Sequence, residues 1–123
     1  MNIVEAEKAV VGAVLVSERA LESVLDVCPP EFFVDKDVAT VLRCMGALRE
    51  RREPIDIVTV ANEIRVTTGN PMLVMMLPEC IDACVSSDNA RNYARIVAGM
   101  HYERQVSALA KRFTETQDRE HLT

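Results

Sequence analysis

The C-terminal part of the chain is a long stretch with almost no helix-stopping residue. All five prolines precede residue 79, and residues 89–123 contain a single glycine, Gly99. Proline breaks a helix because it lacks the backbone N–H and clashes with the preceding turn. The cluster Ser86-Ser87-Asp88 offers side-chain oxygens that favour the start of a helix. We therefore predict one last helix that extends beyond a globule of about ninety residues.

Shorter helices are predicted in the preceding residues from their apolar spacing and their caps. The first predicted helix runs from an Asn2–Glu5 capping box to about Val16, and the second from Ser17 to Pro29-Pro30. The third runs from Asp35 or Asp37 to Pro54, and the fourth from Asp56 or Thr59 to the turn at 67–70. The fifth begins at Asn70, with Pro71 at its first position. Pro78 should kink or split the last of these segments. Because no strand pair with a hairpin turn is present, the predicted fold class is all-α.

The core is predicted to consist mainly of aliphatic side chains, because 49% of the residues are hydrophobic and only 4% are aromatic. Such a composition suits helix-on-helix packing. Phe32 and Phe33 should enter the core from an irregular link before the third helix. The residues predicted to build the core are Val4, Val10, Val14, Leu21, Leu25, Phe33, Leu42, Met45, Ile57, Ile64 and Ile96.

The charge of the chain argues against free-standing nucleic-acid binding. A net charge of -5 repels phosphate groups from the molecule as a whole. Residues 91–112 are the exception, since they carry five basic residues against Glu103 alone. This basic stretch has three possible interpretations: an exposed face of a long helix, a docking surface for a partner or, least favoured, a direct contact with DNA. No interleaved aromatic residues support base stacking.

The four cysteines are interpreted as reduced thiols of a soluble, cytoplasmic protein. Residues 1–10 lack the basic and long apolar regions of a signal peptide. The longest apolar run, residues 72–77, is much shorter than a membrane span. Cys80 and Cys84 stand one helical turn apart and could form a metal site with Cys28 or Cys44. Burial in the core is favoured instead, because the chain has no Cys-x2-Cys pair and no clustered histidines.

No catalytic function is predicted for the glycines, histidines and acid pairs of the chain. A phosphate-binding loop needs closely spaced glycines with a lysine after the last one. The four glycines are far apart and are followed by Ala, Ala, Asn and Met. His101 and His121 fall on the terminal helix or at its end, where we expect no catalytic role. The acid pairs Glu5/Glu7 and Asp35/Asp37 are interpreted as capping and solvated surface residues.

Three stretches of the chain together resemble the N-terminal domain of DnaB-type replicative DNA helicases. They are EAEKAVVGAVLVS at 5–17, EPIDIVTVANEI at 53–64 and NARNYARIV at 89–97, and PPEFF at 29–33 resembles a short link that precedes the family's third helix. The resemblance implies a globular bundle of about six helices in residues 1–97. Residues 98–123 would then extend the last helix as the first arm of a helical hairpin, with no second arm evident after about Asp118.

The resemblance also implies a function in DNA replication through protein-protein contact. In this family the hairpins pair two subunits, and three pairs form a collar on a hexameric motor. The collar docks the C-terminal domain of primase and, in some systems, a helicase loader. ATP and Mg²⁺ belong to the motor half, which carries the Walker motif, so we expect no cofactor or metal in this chain and little direct contact with nucleic acid.

The contact surface is predicted on the terminal helix, from the helical spacing of its apolar and basic residues. The predicted contact residues are Arg95, Tyr102, Arg104, Val106, Leu109 and Phe113. Two other functions remain open. The chain could be a short natural mimic of the collar that sequesters a helicase, a primase or a loader, or a small helical DNA-binding protein.

Overall fold

A computed structural model of the chain describes the backbone of residues 2–122 and the side chains of residues 2–118. The described residues form α-helices joined by short links, without a β-strand. The helices are α1 (Ile3–Val16), α2 (Ala20–Val27), α3 (Lys36–Glu50), α4 (Ile57–Thr68), α5 (Pro71–Met75), α6 (Leu77–Ala83) and α7 (Ala90–Leu122). Two 3-10 turns, Pro30–Phe32 and Ser87–Asn89, precede α3 and α7. The all-α prediction and the long last helix are confirmed.

Most predicted helix starts are confirmed by capping hydrogen bonds. The Asn2 side chain accepts from the Glu5 N–H at 2.9 Å, and the Asn70 side chain accepts from the Met72 N–H at 2.9 Å. Asp35, rather than Asp37, caps α3. At α4 the Asp56 carboxylate and the Thr59 hydroxyl form a reciprocal capping box. These side chains satisfy backbone N–H groups that have no partner within the helix.

The predicted start of the second helix is wrong. Ser17 is the C-terminal cap of α1, where its N–H donates to the carbonyl of Ala13 at 2.9 Å. The Ser17 carbonyl then accepts from the Ala20 N–H at 3.0 Å, which closes a turn before α2 begins at Ala20. The residue with the preferred capping chemistry is therefore used to end one helix rather than to begin the next.

Helix α1 is the centre of the molecule and is buried on nearly all sides. It packs against α6 and α7, and more lightly against α2 and α3. Residues 9–15 of α1 are all buried. Apart from Gly12, they are the small or branched residues Ala, Val and Leu. A Cβ atom at Gly12 would lie 1.9 Å from the carbonyl oxygen of Cys80. The close approach of α6 to α1 therefore requires glycine at this position.

The predicted core is largely confirmed. Seven of the predicted residues are buried: Val10, Val14, Leu21, Phe33, Leu42, Met45 and Ile64. Val4 and Leu25 are half-buried. The predictions for Ile57 and Ile96 are wrong, since these side chains are 40% and 45% exposed. Ile57 is the first residue of α4, and Ile55, just before the helix, is buried instead. Ile96 lies beside the buried face of α7, to which Val97 belongs.

The cysteines contribute to this core. Cys28, Cys44 and Cys80 are buried and Cys84 is half-buried, all four as free thiols. Burial raises the pKa of the Cys28 and Cys80 thiols to about 12, so both stay protonated near neutral pH. Among the described side chains, no three His, Cys, Asp or Glu residues stand together as metal ligands would. None of the described helices is long and apolar enough to span a membrane.

Candidate functional site

Helix α7 has a buried half and an exposed half. Its first residues, 90–98, place Tyr93, Ala94 and Val97 against the globule, where α7 contacts α1 and α2. Met100 and His101 are half-buried, and every side chain from 102 to 118 is exposed. We call residues 102–118 the arm. At a rise of 1.5 Å per residue, the arm extends the helix by roughly 25 Å.

The arm carries a line of exposed apolar side chains on one face. Tyr102, Val106, Leu109 and Phe113 recur at intervals of four, three and four residues, which places them on one side of a helix. Their side chains are 56%, 65%, 61% and 65% exposed, respectively. We call these four residues the apolar stripe. The spacing is that of a coiled-coil seam, so the stripe has the form of a surface that packs against another helix.

Arg95 continues the same face toward the globule. It lies seven residues, about two helical turns, before Tyr102 and is exposed. Five of the six predicted contact residues therefore share one face of α7, with a cation at the globular end and the apolar stripe along the arm. Their role in binding a partner stays a prediction.

Arg104 is separated from that face. It lies two residues after Tyr102, about 200° around the helix, and its Nη2 donates to the carbonyl oxygen of Phe32 at 3.1 Å. The Phe32 ring stacks on His101 with 3.9 Å between ring centroids, and the Tyr102 ring meets Phe32 edge-on at 5.4 Å. Arg104 thus binds the link before α3 within its own chain, and Tyr102 contributes to both the stripe and this aromatic cluster.

Glu7 is a buried carboxylate, and its interpretation as a solvated surface residue is wrong. Its side chain is fully buried. The carboxylate accepts from the Val34 N–H at 2.6 Å and from the Asp35 N–H at 2.9 Å. Desolvation raises the pKa of Glu7, whereas the two amide hydrogen bonds and, more weakly, the charge of Arg104 lower it.

A signal for the burial of Glu7 was present in the sequence. Glu7 stands three residues after Val4 and four before Val11, so it lies in the middle of an apolar helix face. A carboxylate at such a position is stable only with donors for its oxygens. Those donors come from the link before α3, which is distant in sequence. The contact of Phe32 with His101 is equally non-local.

The comparison with known proteins identifies the family of this fold. The model of the family described as DnaB-like helicase N terminal domain matches residues 1–99. The replicative DNA helicase DnaB of Geobacillus stearothermophilus is 34% identical over 96 residues, which cover 76% of this chain and 21% of that protein. DnaB of Rhodothermus marinus is 30% identical over 108 residues, 86% of this chain and 12% of that protein. The matched part of the chain thus spans only 12–21% of these relatives' length.

Solved structures of such domains share the fold. The N-terminal domain of DnaB helicase from Mycobacterium tuberculosis superposes with a TM-score of 0.84 at 29% identity, covering 91% of this chain and 83% of that one. The corresponding domain from Helicobacter pylori, described together with its interactions with primase, gives a TM-score of 0.74 at 18% identity over 93% and 90% of the two chains. The chain belongs to the family of DnaB-like helicase N-terminal domains.

Proposed function

We propose that this chain acts in DNA replication as the collar domain of a hexameric helicase, without catalysis of its own. In this proposal the arm pairs two subunits, and the domain docks primase or a helicase loader. ATP and Mg²⁺ would serve the motor half of the helicase and not these residues. The observation that carries the proposal is the apolar stripe, four large side chains left more than half exposed on a helix that leaves the globule.

The stripe is an interaction surface on physical grounds. Covering one of its side chains would contribute roughly 1–2 kcal/mol, since more than half of each is in contact with water. Two stripes packed together would therefore contribute on the order of 10 kcal/mol, against an association cost of roughly 4–15 kcal/mol. Pairing through the stripe alone is consequently expected to be weak, and a second arm or a partner helix would strengthen it.

DNA binding is supported less well by the same helix. The basic residues of α7 do not all lie on one face: Arg95 continues the face of the stripe, Arg104 donates to Phe32, and Lys111 lies on the side opposite the stripe. A backbone-tracking surface needs cations along one face. Binding to single-stranded DNA that falls steeply with salt would favour this alternative over the proposed one.

The test is sedimentation equilibrium of the wild-type chain and of the double variant Leu109→Glu/Phe113→Glu. We expect the wild type to associate weakly and reversibly and the variant to stay monomeric, because two charges would have to be buried in the interface. A matched control is Ser107→Glu/Thr114→Glu, which adds the same charge at exposed positions outside the stripe. Equal association of all three proteins would contradict the assignment of the stripe.

Docking of primase is tested by adding a primase C-terminal domain to the same proteins. We expect a complex with the wild-type chain and with the control variant. The position of the contact is then read from the Leu109→Glu/Phe113→Glu variant: lost binding places it on the arm, and retained binding places it on the globule. A chain that binds no primase domain at micromolar concentration would contradict the docking part of the proposal.

A further inference from the structure

The point where α7 leaves the globule carries a glycine in the interior of that helix. Gly99 follows the last buried residue of α7, Ala98, and is itself exposed. A Cβ atom at Gly99 would meet nothing within 4 Å, so packing does not require glycine here. Glycine inside a helix is less stable than alanine because it loses more backbone entropy when the helix forms. The interior of the helix is therefore weakened just before the arm begins.

A segment from another part of the chain crosses α7 immediately after this point. Residues 29–35, which we call the strap, contain the 3-10 turn Pro30–Phe32 and the cap of α3. Three contacts join the strap to α7: the hydrogen bond from Arg104 to the Phe32 carbonyl, the stacked pair Phe32–His101, and the edge contact of Tyr102 with Phe32. All three lie two to five residues beyond Gly99.

The other side of the strap is fixed to the core. The two oxygens of the buried Glu7 carboxylate accept from the N–H groups of Val34 and Asp35. Hydrogen bonds to a buried ionised group are stronger than neutral ones, and losing such a partner leaves unpaired donors. Phe33, also in the strap, is buried in the core. The strap therefore has a firm attachment to α1 and a lighter, more exposed attachment to α7.

We propose that Gly99 is a hinge of α7 and that the strap, held by Glu7 and bound to His101, Tyr102 and Arg104, is a latch that keeps the hinge closed. Glu7 and Arg104 are then positioning residues, which set the direction in which the apolar stripe leaves the globule. This inference rests on the proposed function at one point only, the use of the arm as a contact surface. When the latch is closed, the arm has a fixed direction relative to the globule, and so does any partner that covers the stripe. When the latch is open, the arm can turn about Gly99.

The experiment is hydrogen exchange followed by mass spectrometry, on dilute chain that sedimentation shows to be monomeric. The latch variant is Phe32→Ala/Arg104→Met, which changes one half-buried and one exposed side chain. We expect amides 99–105 to exchange about tenfold faster than in the wild type, because a hydrogen bond and an aromatic contact are lost. Peptides from α1 and α3 should be unchanged, which separates a latch from a general loss of stability.

Two further variants sharpen this test. Arg112→Met removes the same charge from the arm beyond the strap, and its exchange should match the wild type. Adding Gly99→Ala to the latch variant should slow the exchange of 99–105 again by about two- to fivefold, because alanine stiffens the hinge and fits the open space. Unchanged exchange in the latch variant, or no rescue by Gly99→Ala, would overturn the proposal. Since the chain is monomeric here, failure of pairing leaves this result unaffected.

Discussion

Replacing Gly12 by alanine should strongly destabilise the fold, because the added methyl group has no space. Its Cβ would lie 1.9 Å from the carbonyl oxygen and 2.6 Å from the carbonyl carbon of Cys80. Both are backbone atoms, so no side chain can rotate away. Restoring an ordinary contact of about 3.4 Å would require α1 and α6 to separate by roughly 1.5 Å. We expect a loss of at least about 3 kcal/mol, at the upper end of overpacking effects.

That loss is a large fraction of the roughly 5–15 kcal/mol by which domains are usually stable. The assay is urea denaturation followed by far-UV circular dichroism. Gly46→Ala and Gly99→Ala are matched controls, since a Cβ atom at either helical position meets nothing within 4 Å. We expect both controls to be stabilised by roughly 0.5–1 kcal/mol. A Gly12→Ala variant as stable as the controls would refute the assignment of the α1–α6 contact.

Two other substitutions test the carboxylates of the fold. Because burial raises the pKa of Glu7 above 4.5, the folded chain binds that proton more tightly than the unfolded chain. The free energy of unfolding of the wild type, minus that of Glu7→Gln, should therefore fall as pH rises from 4.5 through the raised pKa. Urea titrations in which this difference increases with pH would contradict the sign. Asp56→Ala should lower the free energy of unfolding by about 1 kcal/mol, because α4 loses its capping box. An unchanged thermal midpoint would argue against that cap.

The helix caps could be predicted from the sequence because they depend on neighbours only a few residues away. Asn2, Asp56 and Asn70 each accept from a backbone N–H two or three residues later. Pro78 split α5 from α6 for an equally local reason, the missing backbone donor. Ser17 shows the limit of this approach, since its side chain predicts the start of α2, whereas its backbone N–H donates to Ala13 at the end of α1.

Non-local contacts explain what the sequence analysis missed. The need for glycine at position 12 arises from α6, and the burial of Glu7 is possible only because residues 34 and 35 supply two donors. The predicted contact surface includes residues whose placement follows from the sequence and one whose placement does not. The spacing of Val106, Leu109 and Phe113 was visible in the sequence and the structure leaves them exposed together. Arg104 has a suitable position in the sequence but binds the strap, which no periodicity indicates.

The most direct test of the central claim is a map of which side chains become covered when the chain binds. Hydroxyl-radical footprinting would compare dilute chain, concentrated chain and chain with a primase C-terminal domain. We expect self-association to protect Tyr102, Leu109 and Phe113, while exposed apolar residues elsewhere, such as Met72 and Met75, stay reactive. Association that leaves the three stripe residues as reactive as in the dilute chain would contradict the claim that the arm is the pairing surface.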